Sequence, residues 1–432
     1  MRNKNIVFFI DTYGCKINQN ESQAIREGWL AAGCAETDNP AEADYIIINS
    51  CAITAKAERD ARNAIYRHRR SSPNAKIILG GCASRLLPEF QPGKGREAPL
   101  VDLRENNKNL LSPPGDRNEE PESDPFFADI FAYKRGRPVI KIQDGCSQKC
   151  AYCVVPFTRG TPKSRDPIAI LDECQRLVRA GYGELILSGI NLGQYRSPDG
   201  GDFWRLLALL DRELSREFVD RLRLRISSVE PGQLTDDALA ILSDCALAAP
   251  HIHLSMQHAS TRILAAMGRT RYTLESTLAK LEKARRFWPR LGLGADFIVG
   301  FPGETEIDFQ ELLEAPSQLG LTYAHVFPYS KRPGTRAAAM NPQIPVATKK
   351  SRAELLRNRA SEQKAAFLRS QSGTETIVAP DAGKDGAGSE RGVNEYYANC
   401  QLANGQRFSS LKLTKVRVVS VVENRLLCEL AD

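Results

Sequence analysis

Residues 139–165, VIKIQDGCSQKCAYCVVPFTRGTPKSR, decide the fold of this chain. An apolar strand pattern, VIKI, runs into a tight loop that carries Cys146, Cys150 and Cys153. Three thiolates at this C-x3-C-x2-C spacing can all reach one iron–sulfur cube. A structural zinc takes four ligands, and bacterial ferredoxin loops use another spacing with a fourth cysteine. The loop therefore favours a four-iron cluster with one open iron over the alternatives, a zinc knuckle or a chance triplet.

The chain after this loop alternates strand and helix patterns. Helical periodicity at 167–180 and 305–319, for example, separates apolar runs. The predicted strands are 139–144, 184–190, 222–229, 251–257, 294–300 and 323–329. Six successive strand–helix units predict an open relative of the TIM barrel, a partial (β/α)6 barrel. Functional groups are then expected at the carboxyl ends of the strands, and the cysteine loop follows the first strand.

The N-terminal part has the pattern of a second, smaller α/β domain. Runs at 5–11, 45–50 and 76–80 predict strands, and the helical patterns between them lie at 19–32 and 54–70. Strands and helices that alternate at this spacing predict a doubly wound parallel sheet.

A cysteine follows each of these three strands: Cys15, Cys51 and Cys82. Right-handed crossovers place the carboxyl ends of parallel strands at one edge of the sheet, so the three thiols are expected to converge there. The alternative is three core cysteines, because this residue type is often buried. The other cysteines are interpreted as packing residues: Cys34, Cys174, Cys245, Cys400 and Cys428.

Several of these segments resemble a known family. The loop, with Tyr152 before its last cysteine, resembles that of the radical S-adenosylmethionine (SAM) superfamily, and GCSQKCAYCVVPFTRG resembles its methylthiotransferase branch. TYGCKINQNES, NSCAITAKAE and GGCAS resemble the N-terminal domain of methylthiotransferases. The resemblance implies two [4Fe-4S] clusters, one that binds SAM on the loop cysteines and an auxiliary one on the strand-end cysteines.

The same resemblance implies a chemistry for all six cysteines. A reduced loop cluster splits SAM into methionine and a 5′-deoxyadenosyl radical, which opens a substrate C–H bond. A second SAM methylates a sulfur at the auxiliary cluster, and this methylthio group is attached to the substrate. An electron donor of the flavodoxin or ferredoxin type and a sulfur source are implied as well.

Groups at the ends of the predicted barrel strands suit a bound SAM. Hydroxyl and carboxylate groups could bind its ribose or amino acid part, glycine backbone suits close packing against adenine, and aromatic rings offer flat faces. The expected cofactor-binding residues are Tyr152, Ser188, Gly189, Ser228, Glu230, Val299, Gly300 and Phe327. Each alone could equally be structural, whereas the ordered set behind a cysteine loop indicates a site. His258 is given no catalytic role and is interpreted as a surface or packing residue.

The C-terminal part predicts a small β module after a basic amphipathic helix at 349–368. Its strand-like runs are ETIVA, EYYANCQL, LTKVRVVSVV and RLLCEL, which suggest a five-stranded barrel. The module resembles the RNA-binding TRAM domain, although its charges nearly balance, and a stabilising β cap is the alternative. The expected domains are 4–116 with the auxiliary cluster, a linker at 117–131, a radical SAM core at 132–361 and the TRAM-like module at 362–432.

Bulk composition narrows the class of protein. The 432 residues suffice for two or three domains, and we find no apolar run long enough to span a membrane. Eleven cysteines spread over a long chain are not a disulfide framework and predict a reducing cytoplasm. The net charge of +7 permits a nucleic-acid partner but does not require one.

The choice of substrate rests on short segments. TYGCKINQNES, TAKAE, KIQDGC, RISSVEP and VFPYSKRPGT resemble the branch that modifies N6-threonylcarbamoyladenosine next to the anticodon of tRNA. VVPFTRG resembles the isopentenyladenosine branch, and MQHAS the branch that modifies an aspartate of a ribosomal protein. A non-catalytic iron–sulfur or RNA-binding protein is the alternative of another class. It would need neither an open-iron loop nor a six-unit barrel.

Overall fold

The computed structural model describes residues 6–86, 101–105, 107–114, 126, 130–383 and 388–431. The chain forms two compact units. The first comprises residues 1–131, 144–148 and 153–163, and the second comprises 132–143, 149–152 and 164–432. Most of the expected linker at 117–131 lies outside the described residues. None of the helices within the described ranges is both long and apolar enough to cross a membrane.

The first unit is built on a five-stranded parallel sheet in the order β2–β1–β3–β4–β5. Its strands are β1 Val7–Thr12, β2 Ala35–Glu36, β3 Tyr45–Ser50, β4 Lys76–Gly81 and β5 Leu103–Arg104. Its first three helices are α1 Lys16–Ala31, α2 Ala55–Ser71 and α3 Ala83–Leu86. The predicted doubly wound sheet is confirmed, and the short strands β2 and β5 are additions that the sequence patterns did not reveal.

Both faces of this sheet are covered, which explains why β3 is almost wholly apolar. Ile46 and Ile48 pack in one core cluster with Ile65 of α2. Ile47 packs on the other face with Trp29 of α1. With helices on both faces, the exposed groups of the sheet are concentrated at its edges and strand ends.

The second unit contains the predicted partial barrel. Its strands form two four-stranded sheets, β7–β6–β8–β9 and β10–β11–β12–β13, and β9 runs into β10 with one residue between them. The strands are β6 Val139–Asp144, β7 Lys163–Ser164, β8 Glu184–Gly189, β9 Arg223–Ile226, β10 Ser228–Val229, β11 His251–Gln257, β12 Gly292–Val299 and β13 Tyr323–Pro328. All six predicted strands are present, and the third is divided into β9 and β10.

Helices alternate with these strands. They are α5 Pro167–Arg179, α6 Phe203–Phe218, α7 Asp236–Asp244, α8 Thr261–Met267, α9 Leu274–Phe287, α10 Glu306–Leu319, α11 Arg336–Ala339 and α12 Val346–Arg369. The short helix α4 Val155–Arg159, between β6 and β7, belongs to the first unit. Alternate strand residues, such as Ile252 and Leu254 of β11, are buried in the main core cluster with helix side chains such as Leu281. The intervening strand residues therefore point to the concave side, away from the helices.

The C-terminal module is a closed barrel in the order β14–β15–β16–β18–β17. Its strands are β14 Glu375–Ala382, β15 Gly388–Asn394, β16 Asn399–Leu402, β17 Thr414–Val422 and β18 Arg425–Leu430. The predicted five-stranded barrel is confirmed, but the expected strand EYYANCQL is wrong in its first half. Tyr397 has a left-handed φ of +67°, and the Asn394 side chain accepts the Ala398 N–H at 2.8 Å, so residues 395–398 form a turn.

A buried ionic cluster joins this module to the amino ends of two barrel strands. The Glu184 carboxylate accepts Nε–H bonds from Arg223 at 2.6 Å and from Arg225 at 2.7 Å. The two guanidinium groups also donate to four main-chain carbonyls of the module: Ile377, Val393, Asn394 and Glu395. Glu184 supplies the counter-ion within the barrel, and the module supplies the carbonyl acceptors for the remaining guanidinium N–H groups, so these buried groups are fully hydrogen-bonded only when the module is docked.

Candidate active site

The three cysteines of the first unit lie at one edge of its sheet. Cys15 immediately precedes α1, and Cys51 and Cys82 directly follow β3 and β4. The strands β1, β3 and β4 are neighbours in parallel register, so their carboxyl ends adjoin. Gly14 has a φ of +114°, and a Cβ there would be 2.7 Å from Cys51 Cβ. The absence of a side chain at this glycine lets the Cys15 turn approach Cys51.

The pKa values of Cys15 and Cys51 indicate that both thiols lie close to Cys82 in a buried environment. Burial raises the pKa of Cys51 to about 12 and also raises that of Cys15. A negative charge on Cys82 raises both further, so the three sulfurs interact electrostatically. The Cys15 and Cys51 thiols therefore stay protonated until a metal displaces their protons. All three are free of disulfide bonds. The set fits the donor requirement of an iron–sulfur cluster.

A buried arginine, Arg159 of α4, lies beside this trio. It donates to Glu21 at 2.8 Å, to Asn18 at 2.8 Å and to Asp144 at 3.1 Å. Asn18 in turn accepts the Cys15 S–H at 3.6 Å. Burial alone would lower the pKa of Arg159, but Glu21, Cys82 and Asp144 raise it well above its ordinary value. The group is a permanent cation where thiolate charge would develop.

Backbone N–H groups in the loop 146–155 point at its sulfurs. Gln148 N–H donates to Cys146 Sγ and Val155 N–H donates to Cys153 Sγ, each at 3.4 Å. Hydrogen bonds to sulfur are a recognised means of tuning iron–sulfur clusters. These contacts fit cysteines that carry negative charge, as cluster ligands do.

The other part of the loop is fixed within the second unit. Ala151 N–H donates to the Met267 carbonyl at 2.9 Å, and the Ala337 N–H donates to the Ala151 carbonyl at 2.8 Å. Arg269, which follows α8, donates to the Tyr152 hydroxyl at 3.0 Å. The aromatic residue before the third cysteine is therefore held by a cation.

Arg269 also forms an ion pair with Glu230 at 3.0 Å, and both side chains are buried. Asn191 donates to the Glu230 carboxylate at 3.3 Å. Burial alone would lower the pKa of Arg269, but Tyr152 and Glu230 raise it well above its ordinary value. A buried carboxylate and guanidinium side by side can pair with the opposite charges of a zwitterionic ligand. Sequence reasoning identified Glu230 but missed Arg269 and Asn191.

The remaining expected cofactor residues lie at carboxyl ends of barrel strands. Ser188 and Gly189 end β8, Ser228 begins β10, Val299 ends β12 and Phe327 is the next-to-last residue of β13. Phe327 is exposed. A Cβ on Gly189 would be 2.9 Å from Gln143 Cβ, so this glycine is required by packing as well.

Gly300 is part of a buried polar network after β12. Its N–H donates to the Glu304 carboxylate at 2.7 Å, and Arg352 donates to the same carboxylate at 2.6 Å. His258 Nε2 lies 3.3 Å from it and is fully buried. The network fixes the backbone at Gly300, which has a φ of +70°. The interpretation of His258 as a packing residue agrees with this position.

Cysteines outside the two trios are packed in the interior. Cys34 and Cys174 are buried in two different core clusters, and Cys400 and Cys428 are buried together in that of the C-terminal module. Cys245 is partly buried, and packing against the main core cluster accounts for its position.

Comparisons with known proteins match the barrel and the N-terminal sheet to two different families. Residues 140–315 match the Radical SAM superfamily, and residues 7–94 match Uncharacterized protein family UPF0004. The fold and the cysteine loop thus define a radical SAM protein. The radical SAM methyltransferase TsrM from Kitasatospora setae has a similar fold, with a TM-score of 0.52 and 14% identity over 77% of each chain.

Curated relatives narrow the class. The threonylcarbamoyladenosine tRNA methylthiotransferase MtaB of Thermotoga maritima is 31% identical over 95% of this chain and 94% of its own. The MtaB of Bacillus subtilis is 34% identical over 80% of this chain and 78% of its own. The tRNA-2-methylthio-N(6)-dimethylallyladenosine synthase of Jannaschia sp. is 34% identical over 83% and 80%. The chain belongs to the methylthiotransferase family of radical SAM enzymes.

Proposed function

We propose that this chain transfers a methylthio group to C2 of N6-threonylcarbamoyladenosine in tRNA, next to the anticodon. The similarity to MtaB of Thermotoga maritima along 95% of the chain carries this proposal. Three further relatives with the same name are 31–36% identical over 77–84% of the chain. The arrangement of both cysteine trios at strand ends supports it.

We assign the cluster ligands as two trios. Cys146, Cys150 and Cys153 hold a [4Fe-4S] cluster with one open iron, and Cys15, Cys51 and Cys82 hold the auxiliary [4Fe-4S] cluster. When bound, SAM and the reduced loop cluster supply a 5′-deoxyadenosyl radical, and the auxiliary site supplies the methylated sulfur. The buried thiols of the first unit provide the sulfur ligands, and Arg159 offsets their charge.

Residues of the second unit bind and orient SAM. Glu230 and Arg269 pair with its amino and carboxylate groups, because each presents the opposite charge within a buried site. Ser188 and Ser228 donate hydrogen bonds to its polar groups, and the backbone of Val299 and Gly300 packs against adenine. Tyr152, Gly189 and Phe327 complete the lining and exclude water from the reactive radical.

A dimethylallyladenosine substrate is the second candidate. Four relatives named for that reaction are 33–36% identical over 76–86% of this chain, so identity alone does not separate the two tRNA substrates. The MtaB match that spans 95% of the chain favours threonylcarbamoyladenosine. An electron donor of the flavodoxin or ferredoxin type, a source of replacement sulfur and a reducing cytoplasm complete the proposal.

Mass analysis of modified nucleosides tests the substrate. A deletion strain should lack the 2-methylthio form of threonylcarbamoyladenosine, and the wild-type gene should restore it while a Cys51→Ser gene should not. Loss of the dimethylallyl form instead would transfer the assignment to the second candidate. An unchanged tRNA profile with an unmodified ribosomal protein would overturn a tRNA substrate altogether.

A further inference from the structure

Three metal-ligating side chains come together on neighbouring strands of the barrel. They are His253 of β11, Asp296 of β12 and His325 of β13, and one ligand atom from each lies within 4.8 Å of the other two. Asp296 and His325 are direct register partners on parallel strands. None of the three belongs to the cysteine sites or to the expected SAM contacts.

The trio lies on the concave side of the strands. The alternate residues Leu254, Ala295 and Val326 are buried in the core cluster on the helix side. Side chains of successive strand residues point to opposite faces, so His253, Asp296 and His325 point into the barrel. Asp296 lies three residues before Val299, about 10 Å along the strand from the expected adenine contact.

The distances fit a small divalent cation. Asp296 Oδ1 lies 3.0 Å from His253 Nε2 and 3.0 Å from His325 Nδ1. Zinc bonds to nitrogen and oxygen are about 2.0–2.2 Å long, so tetrahedral ligand atoms lie about 3.3–3.5 Å apart. Small side-chain adjustments would therefore exchange the present hydrogen bonds for coordination.

A neighbouring tyrosine orients the first ligand. The Tyr323 hydroxyl lies 2.8 Å from His253 Nδ1 and 2.9 Å from His251 Nε2, which leaves His253 Nε2 directed at Asp296. A Cβ at Gly294 would lie 2.4 Å from the Tyr323 oxygen and 2.5 Å from His253 Nδ1. Glycine at this position gives the phenol room to reach the imidazole. Such outer partners are typical of histidine ligands in metal sites.

We propose that His253, Asp296 and His325 form a binding site for a divalent transition metal of the zinc class, inside the barrel. Two imidazoles and one carboxylate suit such an ion, whereas the thiolate trios suit iron–sulfur clusters. The exposure of the side chains rises from 7% at His253 to 22% at Asp296 and 54% at His325. The site is thus closed on one side and open on the other, where an exchangeable oxygen ligand such as water or a carboxylate completes the coordination.

Zinc stoichiometry of the full chain tests this site. Protein with reconstituted clusters is equilibrated with Zn²⁺, desalted and analysed for zinc and iron by mass spectrometry, and affinity is measured by competition with a fluorescent chelator. Wild type should retain one zinc per chain more than His325→Ala and Asp296→Asn proteins, with affinity for that ion weakened at least a hundredfold in both. His68→Gln is the matched control, because it removes another imidazole that pairs with a carboxylate, Asp11 at 2.9 Å, in the first unit, and it should retain the zinc.

The His325→Ala variant disturbs packing less than the Asp296→Asn variant, so its zinc content decides the test. His325 is half exposed, so its replacement removes a ligand with little loss of packing. Any zinc on unoccupied cysteines is common to all four proteins and cancels in the comparison. Equal zinc content and affinity in wild type and His325→Ala protein, at equal iron content, would overturn the proposal and leave a hydrogen-bonded His–Asp–His group.

Discussion

At the scale of single residues, the site depends on buried arginines that have no obvious sequence signature. Arg159 and Arg269 each join segments far apart in the chain, for example Arg159 with Asn18 and Arg269 with Tyr152. Cysteine spacing can be recognised locally, whereas the partner of an arginine depends on tertiary structure. This is why sequence reasoning found the thiols and Glu230 but not the cations beside them.

Replacing Arg159 by methionine should strongly destabilise the first unit. Its side chain is 7% exposed and compensates Glu21 and Asp144, so its loss leaves buried carboxylates uncompensated, at a cost of about 3–5 kcal/mol. Arg67→Met is the matched control, since Arg67 pairs with Asp11 but is 60% exposed, and should cost no more than about 1 kcal/mol. Urea denaturation of both proteins measures the difference, and equal stabilities would contradict the assigned role.

Replacing Arg269 by glutamine should weaken SAM binding by about tenfold, or about 1.4 kcal/mol. The change removes the cation that holds Glu230 and Tyr152, while the cysteines remain. Equilibrium binding of SAM to reconstituted protein measures the effect, with iron content as the internal check. Arg262→Gln, which removes an exposed partner of Asp308, should bind SAM normally. Unchanged affinity in the Arg269→Gln protein would argue against a role near the cofactor.

At the scale of elements, the strands predicted correctly are those with apolar residues packed under helices. The isoleucine run of β3 is apolar because helices cover both faces, and the barrel strands carry apolar residues at the alternate positions that face the helices; both patterns are local. The short strands β2 and β5 have two residues each, too few for any periodicity. The β16 region was predicted too long because a local turn, closed by the Asn394 side chain and with a left-handed Tyr397, interrupts a stretch whose β-forming residues favour a strand.

The stability of the second unit should depend on pH through Glu184. Burial alone would raise the pKa of this carboxyl, but Arg225 and Arg223 lower it to about 2, against 4.5 in an unfolded chain. The stabilisation is therefore fully present above pH 4.5 and is lost as the pH falls toward 2, about 3 kcal/mol in total.

Urea denaturation between pH 7 and pH 3 measures this dependence. Glu184→Gln should lower stability at pH 7, because two buried arginines lose their counter-ion, and should flatten the acid limb of the profile. Glu213→Gln is the control, since its carboxylate pairs with arginines at the surface, and should keep the wild-type profile. An acid limb that persists unchanged in the Glu184→Gln protein would refute the linkage.

At the scale of the whole molecule, two cysteine trios should support two separable activities. Cys150→Ser should lose about half of the iron and all release of 5′-deoxyadenosine from SAM with dithionite. Cys51→Ser should also lose about half of the iron but retain that release, because its loop cluster is intact. Neither protein should form methylthiolated product.

Cys34→Ala is the control for loss of a buried thiol, since Cys34 packs in a core cluster of the same unit as Cys51. It should keep the full iron content and both activities. Full iron content in the Cys51→Ser protein would contradict the assignment of the auxiliary ligands.

The attachment of the C-terminal module has a consequence for biosynthesis. Residues 375–430 leave the ribosome after all the barrel strands, yet their carbonyl groups complete the surroundings of Arg223 and Arg225. A nascent chain that has already made every barrel strand still exposes this charged end to solvent. The amino ends of β8 and β9 therefore reach their final hydrogen bonding only after the C-terminal module has been synthesised, and a product truncated before β14 lacks the acceptors for these arginines.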